Sequence, residues 1–148
     1  MTLRALFVIA LTLISSASGA SNTLIVSDAW VRATPPGKMM TAGYASIENA
    51  SKDIITITGV SAEVAGHTSI HETRIERDRS TMRPVTELSI KAGERVSLKP
   101  GGLHIMLMKL SESLTDGQSI DICLELENND SLCSAFSVVR YRKAAHHH

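Results

Sequence analysis

Aromatic side chains and unbalanced charge are both scarce in this sequence. Phe, Trp and Tyr make up 3% of the 148 residues, which leaves few rings on which nucleic-acid bases could stack. The 15 basic residues are matched by 15 acidic ones, and no long basic run occurs. Because nucleic-acid binding depends largely on neutralising phosphates with Lys and Arg, this composition argues against a nucleic-acid partner.

Long hydrophobic runs are also missing. The apolar run from Ala5 to Ile14 is shorter than the roughly 20 residues that a membrane-spanning helix needs. It follows Arg4 and precedes small residues up to Ala20, which is the pattern of a secretory signal peptide. We predict that residues 1–20 are cleaved off and that residues 21–143 form one exported domain with no membrane insertion of the mature chain. Residues 144–148 are a His-containing tail, either native or a tag remnant.

Only two cysteines are present, Cys123 and Cys133. They lie on either side of a polar turn, Glu127-Asn-Asn-Asp130, and both fall on odd positions where even positions are apolar. In an oxidising compartment this symmetry predicts a disulfide across a β-hairpin. A two-cysteine metal site is disfavoured, because the spacing is not C-x₂-C.

No segment has the periodicity of an amphipathic helix. Short segments of alternating apolar and polar residues, about eight to ten in number, are instead separated by Pro-, Gly-, Asn- and Asp-rich turns. This pattern is typical of an all-β domain, and it predicts a β-sandwich or a Greek-key β-barrel.

The most informative segment follows the turn Pro100-Gly-Gly102. Side chains alternate between the two faces of a strand, so Leu103, Ile105 and Leu107 are predicted to face the core. The opposite face then carries His104, Met106 and Met108. Imidazole and thioether groups are ligands for a soft metal ion such as Cu(I). His104 and Met106 alone do not fill a tetrahedral site. The remaining ligands must come from the other internal histidines and mature methionines, which are His67, His71, Met39, Met40, Met82 and Met108.

Four of these residues have a distinctive spacing. His71, Met82, His104 and Met106 fit the pattern H-x₁₀-M-x₂₁-H-x-M, which resembles the signature of the periplasmic PCu(A)C copper chaperones. The segments Ala29–Ala33, Pro35–Gly37, Tyr44–Asn49 and Lys99–Met108 also resemble blocks of that family, in family order. The resemblance covers about residues 23–141.

The resemblance implies a cupredoxin-like β-barrel that is not an enzyme and binds one Cu(I) per chain through His71, Met82, His104 and Met106. It also implies a periplasmic location and delivery of copper to a copper-accepting cytochrome oxidase subunit, in many cases alongside a Sco-type thiol chaperone. The residue chemistry agrees, because two imidazoles and two thioethers form a neutral, soft ligand set that suits Cu(I). The Cys123–Cys133 pair departs from the family pattern.

Other functions remain open at this stage. A copper scavenging or resistance protein would use the same ligands without an oxidase client. A blue-copper electron-transfer protein would need a cysteine thiolate among its ligands. A copper enzyme would need a catalytic base, and a metal-free adhesion module would leave the His and Met spacing unexplained. The sequence assigns no role to Met39, Met40, His67 or Met108, and does not say whether His146, His147 and His148 bind Cu(II).

Overall fold

The computed structural model describes residues 24–140, so the predicted signal peptide (residues 1–20) and His-containing tail (residues 144–148) lie outside the described residues. The described chain folds into ten β-strands, which confirms the predicted all-β class. Their bounds are β1 Leu24–Arg32, β2 Met40–Asn49, β3 Ile55–Ser61, β4 Ala65–Glu76, β5 Arg79–Val85, β6 Leu88–Ile90, β7 Arg95–Leu98, β8 Leu103–Leu110, β9 Ser119–Leu126 and β10 Ser131–Val139. Within residues 24–140 there is no helix with the length and apolar character needed to span a membrane.

The strands form one sheet with the order β5-β4-β8-β2-β1-β10-β9-β3-β6, and β7 pairs with the second half of β2. The sheet is not closed, because β5 and β6 end the order without pairing to each other. It nevertheless folds over on itself: the Thr68 hydroxyl on β4 donates a hydrogen bond to the Val60 carbonyl on β3, a strand far from β4 in the order. The predicted barrel or sandwich is therefore realised as one open, strongly curved sheet.

Apolar side chains from both halves of the curved sheet form the core. The even positions of β9 are buried, as the alternation predicted, and Cys123 lies on the opposite face. Cys123 is directly opposite Cys133 on β10, and the two form a disulfide, which confirms that prediction. The largest fully buried core side chains are Phe136, Ile47, Ile57, Ile90, Ile105, Leu107, Leu114, Ile122 and Leu124.

The β4–β5 hairpin forms one edge of the sheet. Its two-residue turn consists of Arg77 and Asp78, both with positive φ (48° and 61°), as in the type I′ turns that favour tight hairpins. Pro84 is accommodated in β5 because an edge strand has free N–H positions facing away from its single neighbour. The tight turn fixes the register, so that Met82 lies opposite Thr73 and Pro84 lies opposite His71.

Candidate metal centre

Strand β8 presents a core face and a polar, sulfur-containing face. Ile105 and Leu107 have no exposed surface and belong to the core, as predicted. His104 and Met106 lie on the other face, where His104 is only 5% exposed and Met106 is half-buried. An outward-facing histidine can be so buried because β8 lies inside the sheet, between β4 and β2.

A tight turn introduces this strand. Pro100 and Gly101 are its central residues, Gly101 has φ +79°, and the Gly102 N–H donates to the Lys99 carbonyl at 3.0 Å. Pro followed by a residue with positive φ is the signature of a type II turn, for which glycine is strongly preferred at the second position. The Gly102 carbonyl also accepts a hydrogen bond from the Thr73 N–H at 3.1 Å, which ties the turn to β4.

His71 lies directly across from His104. The two residues are paired in the antiparallel register of β4 and β8, and their ring centroids are 6.1 Å apart with an interplanar angle of 50°. Residues directly opposite on neighbouring strands have side chains that leave the sheet side by side. The structure therefore brings together two histidines that are far apart in the sequence.

Hydrogen bonds orient both imidazole rings. The His104 Nδ1–H donates to the Gly102 carbonyl at 2.9 Å, and because a carbonyl can only accept, the neutral ring keeps a lone pair on Nε2. The His71 Nε2 lies 3.0 Å from the Ser69 hydroxyl, whereas its Nδ1 is buried and has no hydrogen-bond partner. Buried polar atoms are nearly always paired, so this nitrogen is an unusual feature. A histidine that binds a metal through one nitrogen typically has the other nitrogen fixed by such a hydrogen bond.

The environment of His71 also favours the neutral ring. Burial lowers the pKa of His71, and repulsion from His104 and then from His67 lowers it further. A metal binds to neutral imidazole, so these effects keep the ring in the form that can act as a ligand.

The two predicted methionine ligands lie on the same face as the histidine pair. Met106 is opposite Ser69, which lies two residues before His71 on β4. Met82 is opposite Thr73, which lies two residues after His71, so the two methionines are displaced from the histidine pair in opposite directions along the strands. Met82 is 59% exposed because it belongs to the edge strand β5. The four residues are thus grouped on one face, and their binding of a single ion stays a prediction.

Two aromatic residues extend the row of histidines. Tyr44 follows Gly43, which pairs with Ile105, so Tyr44 occupies the β2 position next to His104. Tyr44 is 5% exposed and stacks on Trp30 of β1, with ring centroids 4.5 Å apart. Ser69, the Gly102 carbonyl and Tyr44 were not predicted as parts of the site. Ser69 and Gly102 each lie two residues from the histidine that they contact, so this spacing was an available signal, whereas the position of Tyr44 depends on strand pairing.

Ligands for other kinds of metal site are absent from this region. Residues 24–140 contain no group of three or more His, Cys, Asp or Glu side chains that could hold a metal ion. Both cysteines are oxidised in the β9–β10 disulfide, so neither can supply the thiolate that a blue-copper site requires. The thioethers of Met82 and Met106, on the same face as His71 and His104, offer soft donor atoms in place of a thiolate.

Comparison with known proteins identifies the family. Residues 24–138 match the family model "Putative lipoprotein LpqE-like", a PCuAC-type family. The chain belongs to this family. It is 34% identical over 107 residues to "Putative lipoprotein Lxx21020" of Leifsonia xyli subsp. xyli, an alignment that covers 72% of this chain and 63% of that protein. The chain thus spans less than two thirds of the length of this relative.

Solved structures confirm the cupredoxin-like PCuAC fold. The solution structure of apo-DR1885 from Deinococcus radiodurans has a TM-score of 0.64 at 26% identity and covers 95% of both chains. The structure of CuI-DR1885 has a TM-score of 0.63 at 28% identity, and covers 84% of this chain and 85% of that one. The copper-bound PCuAC domain from PmoF2 has a TM-score of 0.67 at 18% identity, and covers 80% of this chain and 93% of the domain.

Proposed function

We propose that this protein is an exported Cu(I) carrier that binds one ion through His71, Met82, His104 and Met106. The observation that supports this most directly is the facing pair of imidazoles, in which His71 has a buried, unpartnered Nδ1 and the neutral His104 ring keeps a lone pair on Nε2. A soft cation between the two rings would satisfy the unpartnered nitrogen. Met106 and Met82 then supply thioether ligands from either side of the pair.

The ligand set favours Cu(I) over the other common biological metals. Two neutral nitrogens and two neutral sulfurs suit a soft d¹⁰ ion, whereas Mg²⁺, Ca²⁺ and Mn²⁺ prefer oxygen ligands. Two structural relatives are CuI-DR1885 and the copper-bound PCuAC domain from PmoF2, which supports the same metal here.

The proposed role is transport and delivery, because nothing in the site suggests catalysis. The ligands carry no charge, so the ion can pass to an acceptor with thiolate ligands, which bind Cu(I) more tightly. Met82 lies exposed at the sheet edge, where a ligand from a partner protein can take its place on the ion. We propose a copper-accepting cytochrome oxidase subunit as the recipient, with a Sco-type thiol protein as a further partner. The lipoprotein named among the relatives supports a location outside the cytoplasm, and we propose the periplasm.

Cu(I) affinity measured by competition with a colorimetric chelator tests the binding site. We expect one tightly bound ion, with Cu(II) bound more weakly, in protein whose His146, His147 and His148 are replaced by alanine. His104→Gln keeps a polar side chain on β8 but removes the imidazole, and it should abolish tight binding. Unchanged affinity in His104→Gln would contradict the proposed site.

Delivery needs a separate experiment in cells. Copper occupancy of the oxidase subunit should fall when the gene is deleted and recover with the wild-type gene, but not with His104→Gln. If occupancy is unaffected while copper tolerance decreases, the protein is a scavenging or resistance factor with the same metal site.

A further inference from the structure

A second group of soft ligands lies on the same face of the sheet as the histidine pair. Met40 on β2 is directly opposite Met108 on β8, and Met108 is in turn directly opposite His67 on β4. The three side chains therefore form a row across three neighbouring strands, with Met108 in the middle. Neighbouring strands are about 4.8 Å apart, so flexible methionine side chains on one row can approach a common point above the sheet.

The row is accessible and is separate from the four residues proposed above. Met40 is 53% exposed, His67 is exposed and Met108 is half-buried, so an ion can reach all three from solvent. The intervening row consists of Ala42, Met106 and Ser69. Its two outer members are small, and its long side chain, Met106, belongs to the four-residue site.

We propose that Met40, Met108 and His67 form a second binding site for a soft monovalent cation, Cu(I) or Ag(I). Two thioethers and one imidazole provide a neutral, three-ligand set, which selects soft ions over Zn²⁺, Ca²⁺ and Mg²⁺. Its three ligands and greater exposure make it weaker than the four-ligand site. The existence of this second site does not depend on the function proposed above, because the two sites share no ligand, whereas its use as a loading position rests on that function.

The position of this site suggests a use. Met106 and Met108 are two residues apart on β8, which corresponds to about 6–7 Å along the strand. An ion captured at the exposed row is therefore one short step from Met106 and the histidine pair. The second site would act as a loading position from which the ion enters the tighter site.

Methionine methyl groups report on both sites in one experiment. The purified protein, with His146, His147 and His148 replaced by alanine, is labelled with ¹³C at the methionine methyls and titrated with Ag(I), which mimics Cu(I) without redox chemistry. We expect the methyl signals of Met82 and Met106 to shift with the first equivalent. The second equivalent should shift those of Met40 and Met108, together with the ring signals of His67.

Matched substitutions identify the residues that bind the second ion. Met108→Leu should reduce the stoichiometry from two ions to one. Met40→Leu should weaken binding of the second ion by about tenfold or more, because loss of a direct ligand should cost at least as much as loss of an outer-shell partner. Met39→Leu is the control, because Met39 is 42% exposed and adjacent to Met40 but precedes β2 and lies outside the row. Methionine-to-leucine swaps conserve volume, and Met40 is exposed, so at least this variant folds.

Three results would overturn the inference. The first is saturation of the protein at one equivalent, and the second is a second equivalent that persists in Met108→Leu. The third is a second equivalent that is lost in Met39→Leu but kept in Met40→Leu. His104→Gln separates this inference from the proposed function: it should remove the tight ion while the shifts of Met40 and Met108 remain.

Discussion

Removing the hydroxyl of Ser69 tests whether His71 binds the metal through Nδ1. This hydroxyl is the only hydrogen-bond partner of the His71 ring in the described part of the chain, at 3.0 Å from Nε2. In Ser69→Ala the ring loses the contact that holds its orientation, and with a metal on Nδ1 the Nε2–H group loses its acceptor. Loss of such a partner typically weakens metal binding by about 10- to 100-fold, which corresponds to about 1.4–2.7 kcal/mol.

The same substitution should have a smaller effect on folding. It removes one half-buried hydrogen bond between neutral groups, for which we expect about 0.5–1.5 kcal/mol in the free energy of unfolding. Thr73→Val is the matched control, since Thr73 is on the same strand and face, two residues beyond His71, and its hydroxyl makes no hydrogen bond to His71. Cu(I) affinity is measured for both variants by chelator competition, and unfolding by urea titration.

A double-mutant cycle tests whether Ser69 influences Cu(I) affinity through His71. If Ser69 acts by positioning His71, then Ser69→Ala should not weaken binding further in a His71→Gln background. The reasoning would be refuted if folded Ser69→Ala bound Cu(I) like the wild type. It would also be refuted if Thr73→Val lost as much affinity as Ser69→Ala.

Three further predictions follow from other parts of the structure. Met106→Leu should lower Cu(I) affinity by about tenfold or more at a stability cost under about 1.5 kcal/mol, measured by chelator competition and urea unfolding; wild-type affinity would exclude Met106 as a ligand. Replacing Cys123 and Cys133 together by serine should reduce the free energy of unfolding by about 2–3 kcal/mol, because the bridge closes a loop with a sequence separation of 10, while Cu(I) affinity stays unchanged. Burial, and then repulsion from His104 and His67, lower the pKa of His71 below its ordinary value of 6.5 in the folded protein. As the pH falls, the unfolded state therefore takes up a proton on His71 at a higher pH than the folded state does. The metal-free protein should lose stability as the pH falls below about 6.5. Urea titrations at about pH 7.5 and about pH 5.5 should show a smaller loss in His71→Gln than in the wild type.

Local patterns in the sequence predicted much of the fold. The alternation in β8 correctly separated Ile105 and Leu107 from His104 and Met106. The symmetry of the two cysteines about their turn correctly predicted the disulfide, because a hairpin register depends only on nearby residues. These features need no knowledge of the overall strand order.

Contacts between distant strands could not be predicted in the same way. β4 pairs with β8, although three other strands, β5, β6 and β7, lie between them in the sequence. Only this pairing places His71 beside His104 and lets the Gly102 carbonyl join Thr73 of β4 to His104 of β8. The same applies to the row of Met40, Met108 and His67, whose members appear in the sequence as unrelated residues.

The unequal burial of the proposed ligands indicates how copper would leave. His104 is 5% exposed and held by the Gly102 carbonyl, whereas Met82 is 59% exposed on the edge strand β5. A thiolate from an acceptor can approach the ion only from the exposed side, so Met82 is the ligand that it would replace first. The histidines would remain in place during this exchange, because their rings are fixed by hydrogen bonds on the inner strands. In the proposed site, a hydrogen-bonded pair of imidazoles and one exposed thioether would thus allow the ion to be held firmly and still be transferred one ligand at a time.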